Sequence, residues 1–395
     1  MVHKSALYSA VLSTSLLLIP GGIVCAADLN TAMGIVIERA DGAVAIVDTS
    51  ARSVITEIQG LGDLSHASAV FSNDERYAYV FGRDGGLTRI DLKEKKISNR
   101  ILQAGNSIGG AISEDGSLVA VSNYDPGGVR IFTADTLDPV LDIPSYSDGN
   151  ELRSRVVGLV DAPRQRFVFT LFEAGEIWLA DISDVTNPDI KRFRNIGRQP
   201  YDALITPDGR YYIAGLFGED GLALLDLMNP DKGVKRILDG YGRGEKPLPT
   251  YKMPHLEGWA IAGGYAYIPA VGMRALVVAD TGTWSEAEHI ALYGQPVFAM
   301  ANPNGRQVWV NFALPHNDTI QVIDTTSQEV IKQISAGKAV MHMEFTDSGK
   351  EIWVSVRDED RVKVYDTNTF ELLAQLSVRK PSGIFFTSRA NKTGL

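Results

Sequence analysis

Eight times along this chain a strand-like run closes on an aspartate: "AIVDT" at Asp48, "TRIDL" at Asp91, "FTADT" at Asp135, "WLADI" at Asp181, "LLDLM" at Asp226, "VVADT" at Asp280, "QVIDT" at Asp324 and "KVYDT" at Asp366. The spacings are 43, 44, 46, 45, 54, 44 and 42 residues. A period near this length, with room for about four strands per unit, is the signature of a β-propeller. Eight markers predict eight four-stranded blades in an all-β fold. An aspartate after a β-branched strand suits the turn between third and fourth strands, because its carboxylate accepts backbone N–H groups two residues on. Further turn signals fall between first and second strands at "SEDGS" 113–117, "TPDGR" 206–210, "NPNGR" 302–306 and "TDSGK" 346–350. No long amphipathic helix survives outside the N-terminal segment.

The ends of the chain predict how the ring shuts. Only two strands, "GIVIERA" and "AVAIVDT", precede the end of the first unit, while "SGIFFTS" after Asp366 reads as the first strand of another blade. Pairing that C-terminal strand into the N-terminal blade removes the open sheet edges that a linear array would leave. The one long spacing contains "DGYGRGEKPLPTYKMPH", Asp239 to His255, whose Gly, Pro and charge content reads as an extended loop within one domain.

Before the repeat lies a targeting segment. Lys4, an apolar stretch from Leu16 to Val24 and the small residues Cys25, Ala26 and Ala27 predict a secretory signal over residues 1–27, leaving 28–395 as one propeller domain. Pro20, Gly21 and Gly22 interrupt the apolar run, which argues against a membrane span. Val24 argues against a lipid anchor on Cys25, since lipoprotein signals read Leu-x-(Gly/Ala/Ser)-Cys. Cys25 is the single cysteine, so covalent heme c, which needs Cys-x-x-Cys-His, is excluded. The net charge of -10 carries no basic excess of the kind a nucleic-acid binder needs.

Aligning the units on their aspartates brings rare residues together. Twenty-five positions upstream lie His66, Tyr201 and His255, and His342 stands twenty-four upstream of Asp366. These positions open the innermost strands of separate blades, which puts imidazoles and a phenol around a central funnel. Twenty-eight positions upstream lie Arg153, Arg198, Lys252 and Lys338, with Arg155 and Lys380 close by, a basic collar in an acidic protein. The loops between second and third strands, on the same face, carry Arg83–Asp84, Tyr124–Asp125, Glu173, Arg274 and His316. Asp125 precedes Pro126-Gly127-Gly128, a tight turn that would hold it toward the axis.

A lone histidine at a strand end is more often a surface residue than a ligand, and a polar rim is ordinary for a propeller face. The shared register is what argues otherwise. A funnel with facing imidazoles and a basic collar suits a large, flat, poly-anionic molecule with a metal at its centre. A tetrapyrrole meets all three conditions, with imidazole as iron ligand and charge-assisted hydrogen bonds to its carboxylates. An interaction propeller with no small ligand stays open as an alternative. A metal-dependent hydrolase would need several axial carboxylates in register, and none is apparent.

Three stretches, "RYAYVFGRDGGLTRIDL", "NYDPGGVRIFTADTLDP" and "KEIWVSVRDEDRVKVYDTNTFEL", resemble the d1-heme domain of cytochrome cd1 nitrite reductase, and the likeness covers nearly the whole mature chain in matching blade order. Without a Cys-x-x-Cys-His motif, the chain is most similar to the members that work in heme d1 biosynthesis. The resemblance implies His66 as the axial ligand to the tetrapyrrole iron. It aligns His255, in "MPHLEGW", with one of two distal histidines of the reductase, and puts Tyr201 in place of the other, which casts doubt on nitrite reduction. It marks Asp125 as an essential acid or base, and Gly109 as standing where the reductase has a carboxylate-binding arginine. The implied protein is periplasmic and binds heme d1 or a dihydro-heme d1 type precursor as substrate or ligand. Arg83, Tyr124, Arg155, Arg198, Lys338 and His342 would hold the ligand, while Asp125, Tyr201 and His255 move protons during a side-chain conversion. A non-catalytic carrier delivering the cofactor is the alternative, and nitrite reductase and other heme d1 maturation proteins are the implied partners.

Overall fold

The structure is a computed structural model, and it describes Met1 and residues 32–147, 149, 151–241 and 259–393. The signal region 1–27 with Cys25, and Lys252 and His255 in the long loop, lie outside the described residues. Eight four-stranded antiparallel sheets form the blades of a β-propeller. Numbering blades by their closing aspartates and strands a to d from the axis outward, the a strands of neighbouring blades meet around the centre.

Seven of the eight markers, all but Asp135, are the last residues of their c strands, and Asp135 falls two residues beyond Val129–Thr133. The carboxylates cap the following turns. Asp324 Oδ1 accepts from the Thr326 and Ser327 N–H groups at 3.0 and 2.8 Å, and Asp366 Oδ1 from Asn368 and Thr369, both at 2.8 Å. The backbone N–H of Ser327 and that of Thr369 are the foremost reasons these two carboxyls sit below the usual aspartate range.

Blade 1 closes the ring as the sequence predicts. Its a strand, Pro381–Phe386, comes from the C-terminus and pairs with its b strand, Met33–Glu38, through Gly34–Phe386, Ile35–Phe385 and Val36–Ile384. The approach at Gly34 is close: a Cβ there would meet Phe386 Cδ1 at 2.4 Å and the Phe385 carbonyl oxygen at 2.8 Å. Apolar clusters fill the seams between neighbouring blades. At the closing seam Trp353, Val362 and Val364 of blade 8 pack on Val36, Ala45, Val47 and Phe386 of blade 1. Each such large side chain contributes about 1.5–3 kcal/mol when fully buried. Across the same seam Arg389 forks onto Glu344, Nε to Oε1 at 2.8 Å and Nη2 to Oε2 at 2.6 Å, with both side chains buried. Among the described residues no helix is long and apolar enough to cross a membrane.

Two outcomes follow for stability. Arg389→Ala strands a buried Glu344 carboxylate and should cost roughly 3–5 kcal/mol in chemical denaturation, whereas the paired change Glu344→Gln with Arg389→Met should cost less. In acid, caps whose folded pKa is depressed contribute stability above the unfolded value and lose it as pH falls through the folded one. The melting temperature should therefore hold steady above about pH 5 and drop below about pH 4, with a shallower drop in an Asp324→Asn, Asp366→Asn variant.

Candidate functional site

The inner strands do not pair evenly with their neighbours. In blade 5 the partners are Pro200–Leu216 and then Ala203–Ala214, so two residues on strand a face one on strand b. The same irregularity recurs between Pro296 and Ala299, between Val340 and Met343, and in the closing strand between Pro381 and Ile384. A bulge of this kind re-aims side chains. Here it turns two consecutive residues per blade onto the axis: Tyr201–Asp202, Val297–Phe298, Met341–His342 and Ser382–Gly383 all line one central cavity of about 540 Å³. That volume lies within the roughly 300–1,000 Å³ of ordinary small-molecule sites. Gly109, Gly110 and Gly158 leave parts of the wall without side chains.

His66, Tyr201 and His342 all line this cavity. Their common offset is nevertheless not a common register. The blade 2 hairpin from Tyr77 to Asp91 is one residue shorter than the blade 5 hairpin from Tyr211 to Asp226. Pairing aligns Ala69 with Ala203, but before that point blade 5 bulges while blade 2 continues evenly through the Ser68–Phe81 pair, so His66, which precedes its strand Ser68–Phe71, is not the paired counterpart of Tyr201. His342 matches Asp202 and not Tyr201, because both are second residues of their bulges. Its Nδ1 accepts the Ile384 N–H at 3.2 Å, and its ring packs against Phe298 and Phe385. That bond leaves Nε2 to carry the ring proton, so His342 suits hydrogen bonding better than metal ligation.

Tyr201 sits in an aromatic wall. Phe172 meets its ring edge-on at 6.0 Å and Phe217 at 5.8 Å. The Tyr124 hydroxyl donates to Tyr201 Oη at 3.2 Å. Arg83 and Arg155 lie over the Tyr124 ring, their Cζ atoms 5.6 and 5.4 Å from its centroid. Burial, reinforced by the bond to Tyr201, holds the Tyr124 phenol well above the usual range.

The collar is not the uniformly basic rim that the sequence suggested. Arg153 pairs with Asp142 at 3.0 Å and Arg155 with Glu173 at 2.5 Å. Arg198, largely exposed, reaches Glu219 at 3.1 Å, a carboxylate it shares with Arg236. Lys338 is exposed and its backbone N–H donates to Glu359. Asp142 on an outer strand and Glu173 and Glu219 on b–c loops pair with the three arginines, and Arg83, Arg155, Arg198 and Lys338 are not among the residues lining the cavity. Nor does Asp125 point to the axis. It is exposed on the rim just before a cis Asp125–Pro126 bond, and its Oδ2 lies over Gly105, 2.8 Å from where a Cβ would stand. Its backbone pairs with Asn106 at the start of the blade 3 inner strand, and Asp125 is not among the residues lining the cavity.

Four charged residues that line the cavity were missed: Arg39, Arg357, Asp202 and Asp161. Arg39 and Arg357 are each the first residue after a b strand, in "VIERADG" and "VSVRDED", and both line the wall at blades 1 and 8. That common turn position was the available signal. Burial lowers the Arg39 guanidinium from its usual range, and repulsion from Arg357 adds to it. Among the described residues Arg39 makes no ion pair, while Arg357 Nε contacts its neighbour Asp358 at 2.8 Å. Asp202, the third, is the second residue of its bulge, invisible to a reading that samples one position per strand. With Asp161 it places carboxylates on blades 4 and 5, across the ring from the two arginines. Among the described residues no group of three or more His, Cys, Asp or Glu side chains could hold a metal ion. A metal inside a macrocycle needs only an axial ligand from the protein, so His66 on the cavity wall fits that demand.

Known proteins can now be set beside this geometry. Protein NirF of Stutzerimonas stutzeri is 56% identical over 365 residues, 92% of this chain and 93% of that protein. Protein NirF of Pseudomonas aeruginosa is 57% identical over 364 residues, with the same coverage. The solved structure of dihydro-heme d1 dehydrogenase NirN in complex with DHE superposes with a TM-score of 0.79 at 27% identity, over 92% of this chain and 76% of that chain. The family model described as Cytochrome D1 heme domain matches residues 28–390, so the chain belongs to the cytochrome D1 heme domain family.

Proposed function

We propose that the protein works in heme d1 biosynthesis, binding a d1-type tetrapyrrole in its axial cavity and taking part in conversion of a ring side chain. The observation that carries this reading is the pair Arg39 and Arg357 on the wall of a cavity whose lining also holds the rings of Tyr201, Phe298, Phe312 and Phe385. Two adjacent guanidinium groups in a partly dry site repel one another, and a ligand carboxylate between them relieves that cost. The lining rings of Tyr201, which Phe172 and Phe217 pack against, and of Phe298 and Phe385 suit a flat conjugated ligand. Membership in the cytochrome D1 heme domain family and similarity to a protein named as a dihydro-heme d1 dehydrogenase support the same ligand.

Within this reading His66 on the cavity wall would hold the tetrapyrrole through its iron, and the macrocycle would supply the reactive side chain. Arg39 and Arg357 hold carboxylates and so fix the in-plane orientation. Tyr201 and His342 offer hydrogen bonds from their bulges. Tyr201 can deliver a proton to the ligand, with Asp125 on the rim and His255 on the long loop as further proton-transfer groups. Arg83, Tyr124, Arg155, Arg198 and Lys338 form the outer support and the entry rim. Residues 1–27 would direct the chain to the periplasm, where nitrite reductase and other heme d1 maturation proteins would be its partners.

Absorption spectra of the purified protein mixed with heme d1 or dihydro-heme d1 test the reading. A shifted spectrum is expected, and His66→Ala should change it. A pigment that binds but stays chemically unchanged would favour a carrier, and an unaltered spectrum would rule the reading out.

Arg39→Gln and Arg357→Gln should each weaken binding of hemin, used as a model dicarboxylate ring, by tenfold or more, from about 1.5–3 kcal/mol per charge-assisted bond. Hemin dimethyl ester should bind the wild type and both variants alike in the same titration.

A further inference from the structure

Tyr124 lies outside the cavity, yet its hydroxyl ends on a residue inside it. The bond spans blades 3 and 5, passing the start of blade 4, and runs from Tyr124 Oη to Tyr201 Oη at 3.2 Å. A phenol has one proton to give. With Tyr124 donating, a lone pair of Tyr201 is occupied and the Tyr201 proton must point elsewhere. The Tyr201 ring is fixed by Phe172 and Phe217, so the open direction for that proton is the cavity.

Ring contacts hold Tyr124 in place, and burial keeps it a donor. Its ring is clamped between Arg83 and Arg155, whose cationic heads sit on its π surface. Arg155 is itself fixed by Glu173 and stacks 4.3 Å from the Phe172 centroid, joining the clamp to the wall that carries Tyr201. The charged and titratable groups around the phenol are Tyr201, Asp202, Arg155 and Arg83. Burial keeps the Tyr124 proton in place, the bond to Tyr201 and the negative Asp202 act in the same direction, and the Arg155 charge, the smallest of these influences, opposes them.

We propose that Tyr124 is a positioning residue that turns Tyr201 into a fixed hydrogen-bond donor, aimed at an oxygen acceptor on the edge or side chain of the bound tetrapyrrole. This deepens the functional reading above and rests on it. Donation into Tyr201 also strengthens the bond that Tyr201 gives, because consecutive hydrogen bonds polarise one another. The clamp selects for a ligand that presents a carbonyl or carboxylate oxygen at this wall, and against one that presents an alkyl group there.

A double-mutant cycle on the full chain tests the inference, with dihydro-heme d1 as probe. Tyr124→Phe keeps the ring and both arginine contacts and loses only the hydroxyl. It should weaken binding about fivefold, the worth of one hydrogen bond. Tyr201→Phe should weaken it at least as much. Adding Tyr124→Phe to Tyr201→Phe should then change nothing further, because Tyr124 acts only through Tyr201. Infrared difference spectra should show a ligand C=O stretch moving to higher frequency in both single variants, with melting temperatures recording that the fold is kept. Additive losses in the cycle, or a C=O stretch that does not move in Tyr124→Phe, would overturn the proposal. If the wild type binds no dihydro-heme d1 at all, the functional reading fails first, and the two failures are told apart by that control.

Discussion

The backbone ladder between Met33–Glu38 and Pro381–Phe386 is the contact on which everything else depends. Seven sheets are contiguous in sequence, but the eighth is assembled from both ends of the described chain. Without it, blade 1 would lack its inner strand and the axis would be open on one side. Its closing residues also serve the centre, since Ser382 and Gly383 sit on the bulge of that strand and form part of the cavity wall. The ladder that shuts the ring thus also completes the wall of the site.

The bulges explain how a repetitive fold acquires a specific interior. An even inner strand would turn alternate residues toward the axis and hand each blade one reachable side chain per level. The extra residue gives two, and the chain uses the pair differently in each blade: phenol and carboxylate in blade 5, thioether and imidazole in blade 8, hydroxyl and nothing in blade 1. The backbone keeps near eightfold regularity while the chemistry does not.

This explains which features were legible in the sequence. The period, the blade count and the closing strand follow from Asp48 to Asp366, because turn-capping aspartates are tied to local hydrogen bonds that any blade must make. His66, Tyr201 and His342 could be placed near the axis because a strand start is located well by its marker. A fixed offset could not align them, because the turn between b and c strands in blade 2 is a residue shorter than in blade 5. The collar failed for another reason. Counting along one register found the cations Arg153, Arg155 and Arg198 but not the acids Asp142, Glu173 and Glu219, which reach them from other strands and loops. Arg39 and Arg357 escaped notice because they sit in turns, which the alignment on inner strands did not sample.

The contrast between the two sets of arginines is itself informative. On the rim each guanidinium lies beside a carboxylate, in contact with water, where such pairs are worth about 0–1 kcal/mol. Surfaces of that kind are tuned for solubility more than for recognition. Arg357 pairs with its own neighbour Asp358, but Arg39 makes no ion pair among the described residues and is repelled by Arg357, with the charge of Asp63 opposing that effect, in a chain whose net charge is -10. The acids that do reach the cavity, Asp161 and Asp202, are on the far wall and do not neutralise them. A charge separation of this kind across a partly enclosed space persists only at a cost in the empty protein. It orients a ligand by its anionic edge before any specific contact forms, and it leaves the opposite wall, with Tyr201 held by Tyr124, to read the rest of the ring.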